Sequence, residues 1–191
     1  MSIIKKIKID DAIYEANVEF RNIIKANEIA QDDTLHSIER AYGVLCTIFG
    51  VDSIDNDTHA NLLLKWVKNY LTGGKEVEDR EPDMDYVEDM DYIEASFMSD
   101  YNIDLENTEM DWLKFNNLIN GLSYSDFGNC CILNRIRNLR NYDVSKIQDP
   151  KERDKIIKAQ KEVELKKTSK ENNLSKEQEE SMEKLNKLIG I

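Results

Sequence analysis

Apolar residues recur at three- and four-residue steps through most of the chain and alternate with polar ones only near its start. Lys6-Ile7-Lys8-Ile9 and Ile13-Tyr14-Glu15-Ala16 alternate on either side of Asp10-Asp11-Ala12, the pattern of two short strands joined by a tight turn. A lone hairpin is marginal in water, so this one must lie on helices. Asn17 is placed to cap a following helix with Phe20, Ile23 and Ile24 on one side. Leu35, Ile38, Tyr42, Leu45 and Phe49 make an apolar stripe for a helix over Thr34 to Phe49, closed by Gly50. In the next helix, starting near Thr58, Leu62, Leu63, Trp66, Val67 and Tyr70 form a face wide enough to imply burial between neighbours, stopped by Gly73-Gly74.

The same period continues in Tyr86, Met90, Ile93, Phe97 and Tyr101, until Asn102 interrupts it and Ile103-Asp104-Leu105 reads as a connector. Thr108 with Asp111 predicts a capped start for a helix carrying Trp112, Phe115, Leu118 and Ile119, which ends at Gly121. Ser123 with Asp126 repeats the device before Phe127, Cys130, Cys131, Leu133 and Ile136, and Arg135, Arg137 and Arg140 load the last turns, where cations suit the helix dipole. Asp149-Pro150-Lys151-Glu152 is a strong start for a charged helix that runs to Lys167 with its surface largely solvated. After a break over Lys167 to Asn173, Ser175 and Gln178 open a short amphipathic helix bearing Met182, Leu185, Leu188 and Ile189. At about four turns it is marginal alone and needs a surface to dock on. The predicted architecture is mainly α: a compact helical domain over residues 1–148 with a small N-terminal β-hairpin, then an extended charged C-terminal helix and tail helix over 149–191.

Composition agrees with that reading. Glycine (7) and proline (2) are too scarce for the many tight turns of an all-β sandwich. No run approaches the roughly 20 apolar residues of a membrane span, and Met1 to Ile9 lacks the apolar block of a secretory signal. Cys46, Cys130 and Cys131 form no disulfide framework, which suits a reducing cytoplasm. The net charge of −12 argues against nucleic acid, whose phosphates need a basic face. The acidity is concentrated before residue 151, and the remainder carries mixed charge.

Candidate chemistry is sparse. His36 and His59 have no Cys, Asp or Ser motif beside them, and both read as structural. Asp83, Asp85, Asp89 and Asp91 invite a divalent-ion reading but lack the glycine and bidentate acid of a calcium loop, so a solvated acidic face is expected. No Cys-x-x-Cys, phosphate loop or nucleophile elbow is present. These absences predict a protein that is not an enzyme, with no catalytic, cofactor or metal residues. Large adaptable side chains (Trp66, Tyr70, Met84, Met90, Met98, Met110, Trp112 and Met182) are more numerous than a small core demands, which leaves some of them to face a partner.

The middle of the chain carries a more specific signal. Asp91-Tyr92-Ile93-Glu94-Ala95-Ser96-Phe97, Asp100-Tyr101-Asn102-Ile103-Asp104-Leu105, Met110-Asp111-Trp112-Leu113-Lys114-Phe115 and Leu118-Ile119-Asn120-Gly121-Leu122 together resemble a family of bacteriophage tail proteins. These proteins are encoded beside the tape-measure gene of phages with long, non-contractile tails that infect Gram-positive bacteria. Val18-Glu19-Phe20-Arg21 is similar to the family's Asp-Phe-Arg entry, and Asp143-Val144-Ser145-Lys146-Ile147, running into Asp149-Pro150-Lys151-Glu152-Arg153, to its late helix start. The resemblance covers roughly residues 5 to 167. It departs from the family where many members carry paired tryptophans and this chain has Asp111-Trp112.

The resemblance implies a tail assembly chaperone of the host cytoplasm. Such a protein binds the long, aggregation-prone tape-measure protein, helps the tail-tube protein polymerise around it, and leaves before the tail matures. The client's amphipathic helices would lie in a groove lined by Trp112, Phe115 and Ile119, with Met182, Leu185 and Leu188 covering or extending it. Self-association into a homo-oligomer is compatible with coating a filament. The alternative is a structural virion protein, either a tail-completion or a tube-associated subunit.

Overall fold

The computed structural model describes residues 3–50, 57–74, 82–124 and 130–166. Among them are seven α-helices and one two-stranded antiparallel sheet, the mainly α class with an N-terminal hairpin that the hydropathy pattern predicts. Strands β1 (Ile4–Ile9) and β2 (Ala12–Asn17) pair with Ile7 opposite Tyr14 and Ile9 opposite Ala12. Asp10, at φ 51°, makes the left-handed turn between them, a conformation that Asp tolerates better than bulkier residues. Period-two alternation buries Tyr14 and Ala16 and leaves Ile4, Lys6, Lys8, Ile13 and Glu15 outside.

Helix α1 (Phe20–Ala30) starts later than Asn17 would allow. Glu19 is held extended by an antiparallel bridge to Asp111, with Trp112 N–H donating to Val18 O and Phe20 N–H to Met110 O, both at 2.9 Å. The cap is therefore Glu19, whose carboxylate accepts the Arg21 N–H at 2.9 Å, while the Asn17 side chain accepts the Glu19 N–H. Arg21 lies over the Phe20 ring and donates to the carbonyls of Leu105 and Thr108, fixing the connector after α4.

Helix α2 (Ser37–Phe49) is capped at His36, whose N–H donates to the Glu39 carboxylate. Its predicted stripe is only half buried. Leu45 and Phe49 point inward with Val44 and Ile48, but Ile38 is 81% exposed and Tyr42 56%. The reason is where α1 lies: a Cβ on Gly43 would sit 2.7 Å from Ile29 Cγ2, and Asn22 Nδ2 reaches Thr47 O at 2.9 Å. Helix α1 thus packs on the Gly43–Thr47 side and leaves the Ile38–Tyr42 side to solvent. Helix α3 (Asp57–Leu71) buries Leu63 and Val67 but exposes Leu62, so its wide face is not covered across its full width. It ends in a Schellman motif, Gly73 N–H to Tyr70 O and Gly74 N–H to Asn69 O, with Gly73 at φ +61° and Gly74 at φ +75°.

Helix α4 (Met90–Tyr101) begins after Asp89 and stops at Asn102, which is left-handed at φ 52°. Helix α5 (Trp112–Asn120) takes Asp111 itself as its cap, through Leu113 N–H at 2.8 Å, rather than the predicted Thr108. The core is a ring stack: Phe20 lies 4.3 Å from Phe115, which lies 5.4 Å from Phe97. Helix α6 (Ile132–Arg140) starts with Leu133 N–H on the buried Ser96 hydroxyl, which itself donates to Tyr92 O. Ser123 meets this helix through its carbonyl, accepting Cys131 N–H and Asn134 Nδ2. Asp126 and Phe127 lie outside the described residues.

A 3₁₀ turn (Val144–Lys146) leads to α7 (Pro150–Glu162), capped by Asp149 as predicted and with no buried residue. The described residues group into two units, one drawn from Met1–Glu81 and Asp89–Arg135, the other from Pro82–Glu88 and Ile136–Ile191. Composition suggests a cut after residue 148, whereas contacts put the change of unit within α6. The first unit holds the ring-stacked core. The second is fastened by polar bonds: Arg137 to Asp83 at 3.1 Å, Arg140 to the carbonyls of Asp83 and Val163, Gln160 Nε2 to Tyr142 O, and Lys166 N–H to Glu88.

Candidate partner-binding surface

The three described residues expected to line a client groove are core residues. Trp112 is 4% exposed, Phe115 0% and Ile119 2%. The cause is the central place of α5, which packs on both α1 and α3. Phe115 is sandwiched in the ring stack, and Trp112 Nε1 donates to Leu71 O at 3.1 Å. These side chains hold the first unit together and present no open apolar surface. Met182, Leu185 and Leu188 lie outside the described residues.

At the N-terminus of α5 the geometry builds a polar junction that periodicity does not reveal. The Asp111 carboxylate accepts the Tyr70 hydroxyl at 2.8 Å and the Leu113 N–H at 2.8 Å, and pairs with Lys5 Nζ at 3.3 Å. Lys5 also lies 4.6 Å from the Tyr70 ring centroid. Burial works to raise the Asp111 carboxyl, but these three donors outweigh it and hold it below the usual carboxylate range. Tyr70 is pushed well above the ordinary phenol value, first by burial and then by its bond to Asp111. A cap, a strand lysine and a helix tyrosine thus meet on one carboxylate. This tie joins β1, α3 and α5.

His59 has partners that lie far from it in sequence: its Nδ1 is 2.6 Å from the Tyr14 hydroxyl and its Nε2 3.3 Å from Asp10 Oδ2. His36 caps α2 through its backbone. The four aspartates do not form one solvated face. Asp83 pairs with Arg137, Asp85 accepts the N–H groups of Val87 and Glu88, Asp89 is buried, and of the four only Asp91 is exposed. Among the described residues no group of three or more His, Cys, Asp or Glu is placed to hold a metal ion. No helix among them is long and apolar enough to cross a membrane. Cys46 and Cys130 are half-buried and Cys131 is buried, all as free thiols.

Helix α2 exposes two large apolar side chains, Ile38 and Tyr42. Ile38 and Tyr42 stand four residues apart and so lie on one side of the helix. The sequence places both on one apolar stripe with Leu45 and Phe49, which are buried. Periodicity identifies an apolar side but not whether a neighbour covers it.

No curated protein matches the chain, and no solved structure does. A family model described as Bacteriophage Gp15 protein matches residues 2–165, which is most of the chain. The helical domain with its N-terminal hairpin, the Asp111 junction and the exposed Ile38–Tyr42 pair are therefore features of a bacteriophage protein, and the chain belongs to the Bacteriophage Gp15 protein family.

Proposed function

We propose that this protein is a tail assembly chaperone that acts in the host cytoplasm without catalysis, holding the phage's tape-measure protein in solution while tail-tube subunits polymerise around it. Membership in a phage family supports the setting. The resemblance of the segment from Asp91 to Leu122 to proteins encoded beside tape-measure genes supports the step. The observation that carries the reading is the exposed Ile38–Tyr42 pair. Ile38, 81% exposed, and Tyr42, 56% exposed and four residues on, give a client helix apolar area to lie against.

Deleting the gene tests the proposal. The tape-measure protein is then expected in the insoluble fraction of infected cells, and mass spectrometry of finished wild-type tails is expected to find no stoichiometric amount of this chain. A stoichiometric presence in finished tails would instead establish the structural-subunit reading.

A further inference from the structure

The β-hairpin is fastened to its unit differently from the helices. β2 packs on α2, whereas β1 has β2 as its main neighbour. Large buried side chains are few: Tyr14 is the one ring the hairpin contributes, edge-on to Phe49 at 6.5 Å and to His59 at 5.7 Å. Under the hairpin the rings continue, Phe49 to Trp66 at 6.1 Å and Trp66 to Tyr70 at 5.0 Å. Each end of the ring row is closed by a polar tie. At one end Tyr14 and Asp10 meet the two nitrogens of His59. At the other, Lys5 lies on Asp111 and over Tyr70. Behind the hairpin the chain is pinned, because Val18 and Phe20 hydrogen-bond to Trp112 and Met110.

β2 also buries Ala16 and accepts Asn22 Nδ2 on Asn17 O at 3.0 Å, close to Val18, but away from that end Tyr14 and two partly exposed polar ties hold the sheet, the kind of element that opens without the core. Its pivot is already built at Val18. We propose that Ile4–Asn17 is a strap that lifts as a unit about Val18, and that the ring row on α3 beneath it then receives an amphipathic helix of a partner. From His59 to Tyr70 the row runs eleven residues along α3, roughly 16 Å or about three helical turns. Lifting the strap takes Lys5 from Asp111, so the occupant carries a lysine or arginine at the Asp111 end of its apolar face. The partner's identity as a client rests on the chaperone proposal; the opening of the strap does not.

Native-state hydrogen exchange on the full chain tests this, together with binding of a synthetic fourteen-residue Leu/Lys amphipathic peptide as the probe. In the wild type the cross-strand amides of the hairpin are expected to exchange at least about tenfold faster than those of α5. Lys5→Met combined with Tyr14→Phe is expected to speed hairpin exchange by roughly another tenfold, leave α5 unchanged, and tighten peptide binding by a similar factor. Adding Asp111→Asn is expected to weaken that binding. Asp10→Asn, at an exposed turn position that Asn also tolerates, provides a milder release should the double variant fail to fold. Hairpin and α5 amides exchanging together, or peptide affinity indifferent to the released ties, would overturn the proposal. Neither readout uses a phage client, so a rigid hairpin would leave the chaperone reading standing, and a client that needs no help would leave the strap standing.

Discussion

Single side chains carry more of this fold than their spacing suggests. Phe115 lies against the rings of Phe20, Phe97 and Trp112 and is fully buried, so truncating it opens a cavity in the core. Phe115→Ala is expected to cost about 3–5 kcal/mol, read as a lower denaturant midpoint at unchanged slope. Asp111 makes a different prediction, one that depends on pH. Its carboxyl titrates lower folded than unfolded, so the unfolded chain binds the proton more readily. The stabilisation is then complete above the unfolded value, about pH 4, and is lost as pH falls through the lower folded value. Asp111→Asn keeps an acceptor for the cap but gives up the charge, so its stability is expected to fall less steeply with acid below about pH 4 than that of the wild type. Equal acid slopes would show that the Lys5 and Tyr70 contacts are idle. At this scale sequence reasoning had half the picture. The apolar character of Trp112, Phe115 and Ile119 was plain, but whether they face a core or a partner depends on α1 and α3 lying against α5, and no local pattern encodes that packing.

Elements were legible where their end signals are chemical. Asp149-Pro150 starts α7, Gly73-Gly74 stops α3, and alternation across Asp10-Asp11 builds the hairpin, each by a local mechanism that tertiary packing did not override. Starts failed where a long-range contact took over. Asn17 would have capped α1 had the bridge to Asp111 not kept Glu19 extended. Thr108 lost its expected role because the cap side chain is Asp111 itself. The buried arc of α2 was not legible because Gly43, invisible to an apolar count, is where α1 comes closest. Two substitutions probe these elements. At Gly73 a Cβ would find room, its nearest neighbour being Leu113 Cδ2 at 3.8 Å, so Gly73→Ala pays only for the left-handed backbone. Calorimetry is expected to show a loss of about 1 kcal/mol. Asp149→Ala removes the α7 cap and is expected to cost about 1 kcal/mol, seen as faster amide exchange in the first turn of α7 with the α5 amides unchanged.

At the scale of the whole molecule, the chain joins a unit built on stacked rings to one fastened by arginine, glutamine and carboxylate bonds. That this is a phage protein is within reach of sequence because aromatic and acidic residues recur in a recognisable order from Asp91 to Leu122, and the family match over residues 2–165 supports that much. The surface is not within reach of sequence, since the expected groove residues are core and one apolar stripe holds both the exposed Ile38 and Tyr42 and the buried Leu45 and Phe49. Both share one cause: an amphipathic side is the same string of residues whether its cover is this chain or another. The central claim, that this protein shields apolar helices of a tape-measure protein, is tested most directly by expressing that protein in bacteria alone, with the wild-type chain, and with an Ile38→Asp, Tyr42→Asp variant. The tape-measure protein is expected to be insoluble alone, soluble and co-purifying with the wild type, and largely insoluble again with the variant. A tape-measure protein that distributes identically in all three lysates would contradict it.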